Sequence, residues 1–147
     1  MKIIVDANIV FSSLLNSSGK IGDLLFNGSD KLEFIAPNFL RQEISKYYPK
    51  LCKISKLSLE EIMEAEYHIY SNIKFISEEQ INSKAWLKAD KLVCDIDPKD
   101  TQYVAYSIHF KCKLWSGDKE LIQGLMSKGF KNIVNTDKLY SWWLKQK

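Results

Sequence analysis

The chain is poor in the residues that carry most thiol, zinc and histidine chemistry. Its three cysteines, Cys52, Cys94 and Cys112, are odd in number, widely spaced and without a CxxC pair, which removes the grounds for a disulfide framework or a cysteine zinc site. They read as buried thiols. The two histidines, His68 and His109, have no acid and nucleophile arranged with them in a recognisable pattern, so neither a triad nor a zinc hydrolase is indicated, and they read as core or surface residues. Arginine occurs once, at Arg41; the other basic residues are lysines. No apolar run approaches the length of a bilayer span. At the start, Asp6 and Asn8 cut the apolar stretch far short of a signal-peptide h-region, so the expected location is the cytoplasm, with no membrane partner.

What is present describes a globular protein. The 147 residues, 46% hydrophobic and 27% charged, suit one domain spanning 1–147 and are too few for two independent cores. The net charge of +3 comes from 21 basic and 18 acidic residues. Setting aside four acids singled out below leaves 14 against 21, a basic remainder that suits a nucleic-acid substrate meeting an acidic pocket. Scattered solubilising lysines give the same numbers.

Strand and helix signals alternate along the chain. The β-branched run Lys2–Val5 has the shape of a buried parallel strand. Two helical pieces follow, broken by Asn16-Ser17-Ser18-Gly19. Residues 32–36 read as a strand, and Pro37-Asn38 opens a helix carrying Leu40, Ile44, Tyr47 and Leu51. Ser58 with Glu61 has the capping-box spacing and opens the next helix. A strand at 74–76, a helix from Glu78 to about Cys94, and a helix over 99–110 capped by Asp97 with Pro98 at its first position come next. The last elements are a strand at 113–116, a helix after Asp118 that stops at Gly129, a strand at 132–134 and a helix over 137–147. Such alternation implies a mostly parallel sheet covered on both faces by helices, with ligands bound beyond the carboxyl ends of the strands.

Four acids fall where that topology would bring them together. Asp6 ends the first strand and Asp118 follows the fourth, although each could simply cap a helix. Glu43 lies three residues after Leu40 and four before Tyr47, on the inward face of its helix; the bland alternative is a surface glutamate paired with Lys46 or Arg41. Asp100 shares a stripe with Val104 and Ile108 and ranks above Asp97, whose capping role explains it, while Asp95 reads as exposed. Asn8 and Ser116 stand where they could hydrogen-bond the carboxylates. Carboxylates held close repel one another and lose solvation, so such a cluster asks for a divalent cation.

The segments IIVDANIVFSSLL, PNFLRQEI and DIDPKDTQYVAYSIHFKCKLWSGDKEL together resemble the PIN domain family of metal-dependent ribonucleases over essentially the whole chain. The resemblance implies a three-layer α/β/α sandwich around a mostly parallel twisted sheet of four to five strands. It also implies a site in which Asp6, Glu43, Asp100 and Asp118 hold magnesium or manganese, with Asp97, Asn8 and Ser116 as auxiliaries, and RNA as the substrate. Many family members of this size are toxins of toxin–antitoxin pairs that dimerise and are held inactive by a small antitoxin protein, which makes a homodimer and such a partner further expectations. Tyr103 and Tyr106 stand where smaller residues are common in the family.

The all-oxygen ligand set independently favours hard cations over zinc. Rim lysines would hold phosphates, and Trp115 or Tyr103 could either stack a base or pack in the core. Two rivals are weighed. An aspartyl-nucleophile phosphatase built on Asp6 would need a second acid two residues later, where this chain has Asn8. A non-catalytic RNA-binding or regulatory module would keep the same acids without using them.

Overall fold

In the computed structural model, which describes residues 1–146, five parallel strands form one sheet in the order β3-β2-β1-β4-β5. Strand β1 (Lys2–Val5) is central, and Ile3, Ile4 and Val5 are fully buried. It pairs on one side with β2 (Glu33–Pro37), Ile4 opposite Ile35, and on the other with β4 (Lys113–Trp115), Ile4 opposite Leu114. The outer strands are β3 (Ile73–Ile76) and β5 (Ile133–Val134).

Nine helices among the described residues cover this sheet. They are α1 (Ala7–Leu15), α2 (Lys20–Asn27), α3 (Phe39–Lys46), α4 (Tyr48–Ser55), α5 (Leu59–Tyr70), α6 (Ser83–Val93), α7 (Thr101–Phe110), α8 (Lys119–Ser127) and α9 (Thr136–Lys145). The result is the expected α/β/α sandwich, with all five strands parallel. The Asn16–Gly19 break, the Ser58–Glu61 capping box and the stop at Gly129, whose φ is +82°, are all present.

Chain order fixes where a ligand site belongs. The chain moves outward from β1 to β2 and β3, then returns to the opposite side of β1 for β4 and β5. The reversal lies between β1 and β4, and in open α/β sheets the crevice beyond the carboxyl ends at such a point is the binding position. Asp6 follows β1 there, and Ser116, Gly117 and Asp118 follow β4.

Several local expectations need correction. The helix expected from Pro37 through Leu51 is two helices that part at Tyr47, because Pro49 sits in the first turn of α4 and has no N–H for a continuing ladder. The helix expected from Glu78 begins at Ser83, where Asn82 accepts from the Ala85 N–H at 2.7 Å; Ile81 precedes it, extended and buried. Before α7, Pro98–Asp100 is a 3-10 turn. The cysteines are not all buried: Cys94 is exposed, and Cys52 and Cys112 are half-buried.

Candidate active site

Asp6 leaves β1 into the cleft and is only 4% exposed. Its Oδ1 accepts from the Asn8 N–H at 3.2 Å and its Oδ2 from the Ser116 hydroxyl at 2.9 Å. Burial nevertheless pushes its carboxyl up to about 6, with Glu43 and Asp118 adding like charge against those two bonds. Asn8 ties the loop beyond β4 to this end of β1: its Oδ1 accepts from Gly117 N–H at 3.2 Å and its Nδ2 lies 3.5 Å from Ser116 Oγ.

Asp100 is the least compensated of the acids. It ends the 3-10 turn that Asp97 caps by accepting from Lys99 N–H at 3.0 Å, and it is 9% exposed. Burial raises its carboxyl most, and Asp6, Asp97, Asp118 and Glu43 each raise it further, to about 8. Its Oδ2 is buried without any hydrogen-bond partner.

Glu43 projects from α3, half-buried, and the Tyr103 hydroxyl donates to its Oε1. Desolvation raises its pKa against that bond and against the charges of Lys46 and Lys99. Neither Lys46 nor Arg41 makes an ion pair with it among the described residues. Asp118 caps α8, accepting from Leu121 N–H at 3.2 Å, and its own N–H donates to Ser116 Oγ at 3.1 Å.

One cleft of about 280 Å³ joins most of these groups. Asp6, Asn8, Glu43, Asp97 and Asp100 line it together with Phe11, Tyr47, Lys50 and Lys99. Asp118 stands outside that lining, within electrostatic reach of Asp6 and Asp100. Among the described residues, no group of three or more His, Cys, Asp or Glu side chains is arranged so that it could hold a metal ion. The donor set does fit a hard cation: oxygen donors line the cleft without histidine or cysteine, and Asp100 Oδ2 has lone pairs that no protein group satisfies.

The family description of the PIN domain matches residues 4–138. This protein belongs to the PIN domain family. PIN domains are generally nucleases. No curated protein matches the chain. Among solved structures, PAE2754 from Pyrobaculum aerophilum is similar over 99% of this chain and 90% of its own, with a TM-score of 0.69 and 12% identity. VapBC2 from Rickettsia felis, bound to a DNA fragment from its promoter, is similar over 92% of this chain and 98% of that one, with a TM-score of 0.66 and 12% identity. At such identity the likeness concerns the fold.

This PIN domain also settles the aromatic residues that the sequence left between two uses, and brings in groups that it did not single out. Tyr103 is a carboxylate partner, and with 1% exposure it has no ring face for a base; Trp115 is fully buried and donates through Nε1 to Thr136 at 3.0 Å. Lys50 and Lys99 are the cleft lysines, and Phe11 and Tyr47 its aromatics. Tyr47 stands on the helix stripe with Leu40 and Ile44, and the sequence signal of the other three is proximity to Asp6, Glu43 and Asp100. Asp95 is exposed, as expected, and pairs with Lys128. His68 is exposed, and His109 Nδ1 accepts from Asn82 N–H at 3.1 Å.

Proposed function

We propose that the chain is a divalent-metal-dependent ribonuclease, a single nuclease domain over 1–147, in which Asp6, Glu43, Asp100 and Asp118 are the catalytic carboxylates for magnesium or manganese. Asp100 carries the reading: it is buried, it has an oxygen without a partner, and four carboxylates around it raise its pKa. Ionised in that position it costs of the order of several kcal/mol unless a cation compensates it.

A bound divalent cation would supply Lewis acidity, lowering the pKa of a water and offsetting charge at the phosphorus. The chain's own groups divide the remaining work. Asn8 and Ser116 fix the orientation of Asp6, whose oxygens each keep a further lone pair for a ligand. Glu43, with Oε1 held by Tyr103, offers Oε2 as a ligand or as the acceptor that orients the attacking water. Asp97 assists beside Asp100, and Lys50 and Lys99 meet the charge of the substrate's phosphates.

The fold shared with VapBC2 fits a toxin role, and the proposal extends to a homodimer held inactive by a small antitoxin protein in the cytoplasm. Among the described residues no helix is long and apolar enough to cross a membrane. The deciding experiment is Asp6→Asn, which removes one charge with little change of shape. It should abolish manganese-dependent cleavage of labelled RNA and leave RNA binding largely intact; an unchanged rate would remove Asp6 from the mechanism.

A further inference from the structure

The cleft has a wall that the carboxylate chemistry leaves unexplained. Phe11 from α1, Tyr47 from the α3–α4 junction and Lys50 from the first turn of α4 line the same space as Asp6, Glu43 and Asp100. The rings of Phe11 and Tyr47 meet edge to face, 5.9 Å apart at 82°, and Lys50 Nζ lies 5.7 Å from the Phe11 centroid. Tyr47 keeps 44% of its surface exposed. Ordinary core packing would bury such a ring, as it does Tyr103 and Tyr106 at 1% and 0%. An exposed aromatic beside a cation, at the lip of an acidic cleft, is the surface on which a nucleobase stacks while its phosphate meets the lysine.

We infer that Phe11, Tyr47 and Lys50 form a subsite for one unpaired base of the nucleic-acid substrate, next to the carboxylates; the inference rests on the nuclease reading above. Size decides for an unpaired base. A cleft of about 280 Å³ falls just below the ~300–1,000 Å³ of pockets for drug-sized ligands, so what enters it is a single base turned out of its strand. In a duplex both faces of each base are already stacked and its pairing edge is occupied, which leaves nothing for Tyr47 to contact. Stacking of this kind tolerates any base, so the subsite selects for strandedness more than for sequence.

The test uses the Asp6→Asn protein, titrated in manganese buffer into a fluorescein-labelled oligoribonucleotide, either single-stranded or annealed to its complement, with RNA integrity checked on a gel. The single strand should bind at least tenfold more tightly than the duplex. Adding Tyr47→Ala should weaken single-strand binding by about tenfold, at the low end of what loss of one stacking ring does. Tyr47→Phe should retain it. Tyr67→Ala, which removes a ring 72% exposed on α5 outside the cleft, should change nothing. Equal affinity for both RNAs, or a Tyr47→Ala protein that is folded by its melting curve and binds like its parent, overturns the subsite even if Asp6→Asn abolishes cleavage. A parent protein that cleaves no RNA in manganese overturns the nuclease assignment instead, and a Tyr47-dependent preference for the single strand would then still stand.

Discussion

The Tyr103 hydroxyl donates to Oε1 of Glu43, joining α7 to α3 across 60 residues of chain. Burial, and then the charges of Glu43, Asp6 and Asp100, push the phenol's own ionisation far above the ordinary tyrosine value, so it stays a donor at any working pH. Tyr103→Phe keeps the ring in its packed position and deletes only the donor. A hydrogen bond to a charged group contributes about 1.5–3 kcal/mol, and 1.4 kcal/mol is a factor of ten. Manganese affinity measured by calorimetry should therefore fall by about tenfold or more. The melting temperature should fall by about 3–12 °C, at ~2–4 °C per kcal/mol for a chain near this size. Unchanged affinity would mean that Glu43 keeps its orientation without the tyrosine.

The raised acids make stability depend on pH with a definite sign. An unfolded chain releases these protons near the ordinary value of 3.8, whereas folded Asp6 holds its proton to about 6 and folded Asp100 to about 8. Between pH 4 and 8 the native state thus binds more protons than the unfolded state, and stability falls as pH rises. The contribution of Asp6 is spent by about 6 and that of Asp100 by about 8. Divalent metal needs the deprotonated ligands, so its affinity should rise across the same window and its binding should restore stability at the alkaline end. Thermal melts in chelator and in manganese, at pH 5 through 8, should diverge with increasing pH. Parallel curves would count against a cation shared by these acids.

Asn8 gives a way to disturb the cleft without touching a carboxylate. Its Oδ1 accepts from Gly117 N–H and its backbone N–H donates to Asp6, so one residue holds both strand ends at the reversal of the sheet. Asn8→Ala keeps the backbone bond and removes the side-chain link, at a cost of about 0.5–1.5 kcal/mol in stability. Cleavage should drop more than stability does, by roughly tenfold, because the Ser116–Asp118 turn carries both a partner of Asp6 and Asp118 itself. A rate that follows the small stability loss alone would assign Asn8 to the turn and not to the chemistry.

The elements that place the cleft were legible because their signals are local. The run Lys2–Val5 is β-branched and ends in an acid, and Ser116-Gly117-Asp118 closes a second apolar run, so both strand ends could be read directly. Glu43 was legible as an acid on an apolar helix face. That same signal also fits Glu66, which lies with Ile62 and Ile69 on α5, yet the structure sends Glu66 elsewhere: it is 7% exposed and takes the hydroxyls of Tyr48 and Tyr70 at 2.6 and 3.2 Å. Periodicity reports that an acid faces inward; which neighbour meets it depends on tertiary packing. The Tyr103–Glu43 bond and the Phe11–Tyr47 contact were hidden for the same reason, since each joins residues from separate elements with ordinary local readings. The break at Tyr47 is different, because its cause, Pro49, is a local signal that the apolar spacing of Leu40, Ile44, Tyr47 and Leu51 passes over.

Gly22 tests the fold independently of the cleft. It lies in the first turn of α2, where a Cβ would stand 2.1 Å from the Ser17 carbonyl oxygen and 2.7 Å from its carbon. Both atoms are backbone in the tight connection from α1, so no side-chain rotation can make room. Replacement of glycine by alanine inside a helix ordinarily gains about 0.5–1 kcal/mol from reduced chain entropy. Here the overlap reverses that sign, and Gly22→Ala should destabilise by about 1–3 kcal/mol or more, as overpacking does. Gly28→Ala is the control, because its Cβ would meet only side-chain atoms of Leu32, Phe34 and Leu24 at 3.4 Å and beyond. Urea melts of the two variants should separate clearly, with Gly28→Ala nearer the parent. A Gly22→Ala protein as stable as its parent would show that the α1–α2 connection shifts at little cost.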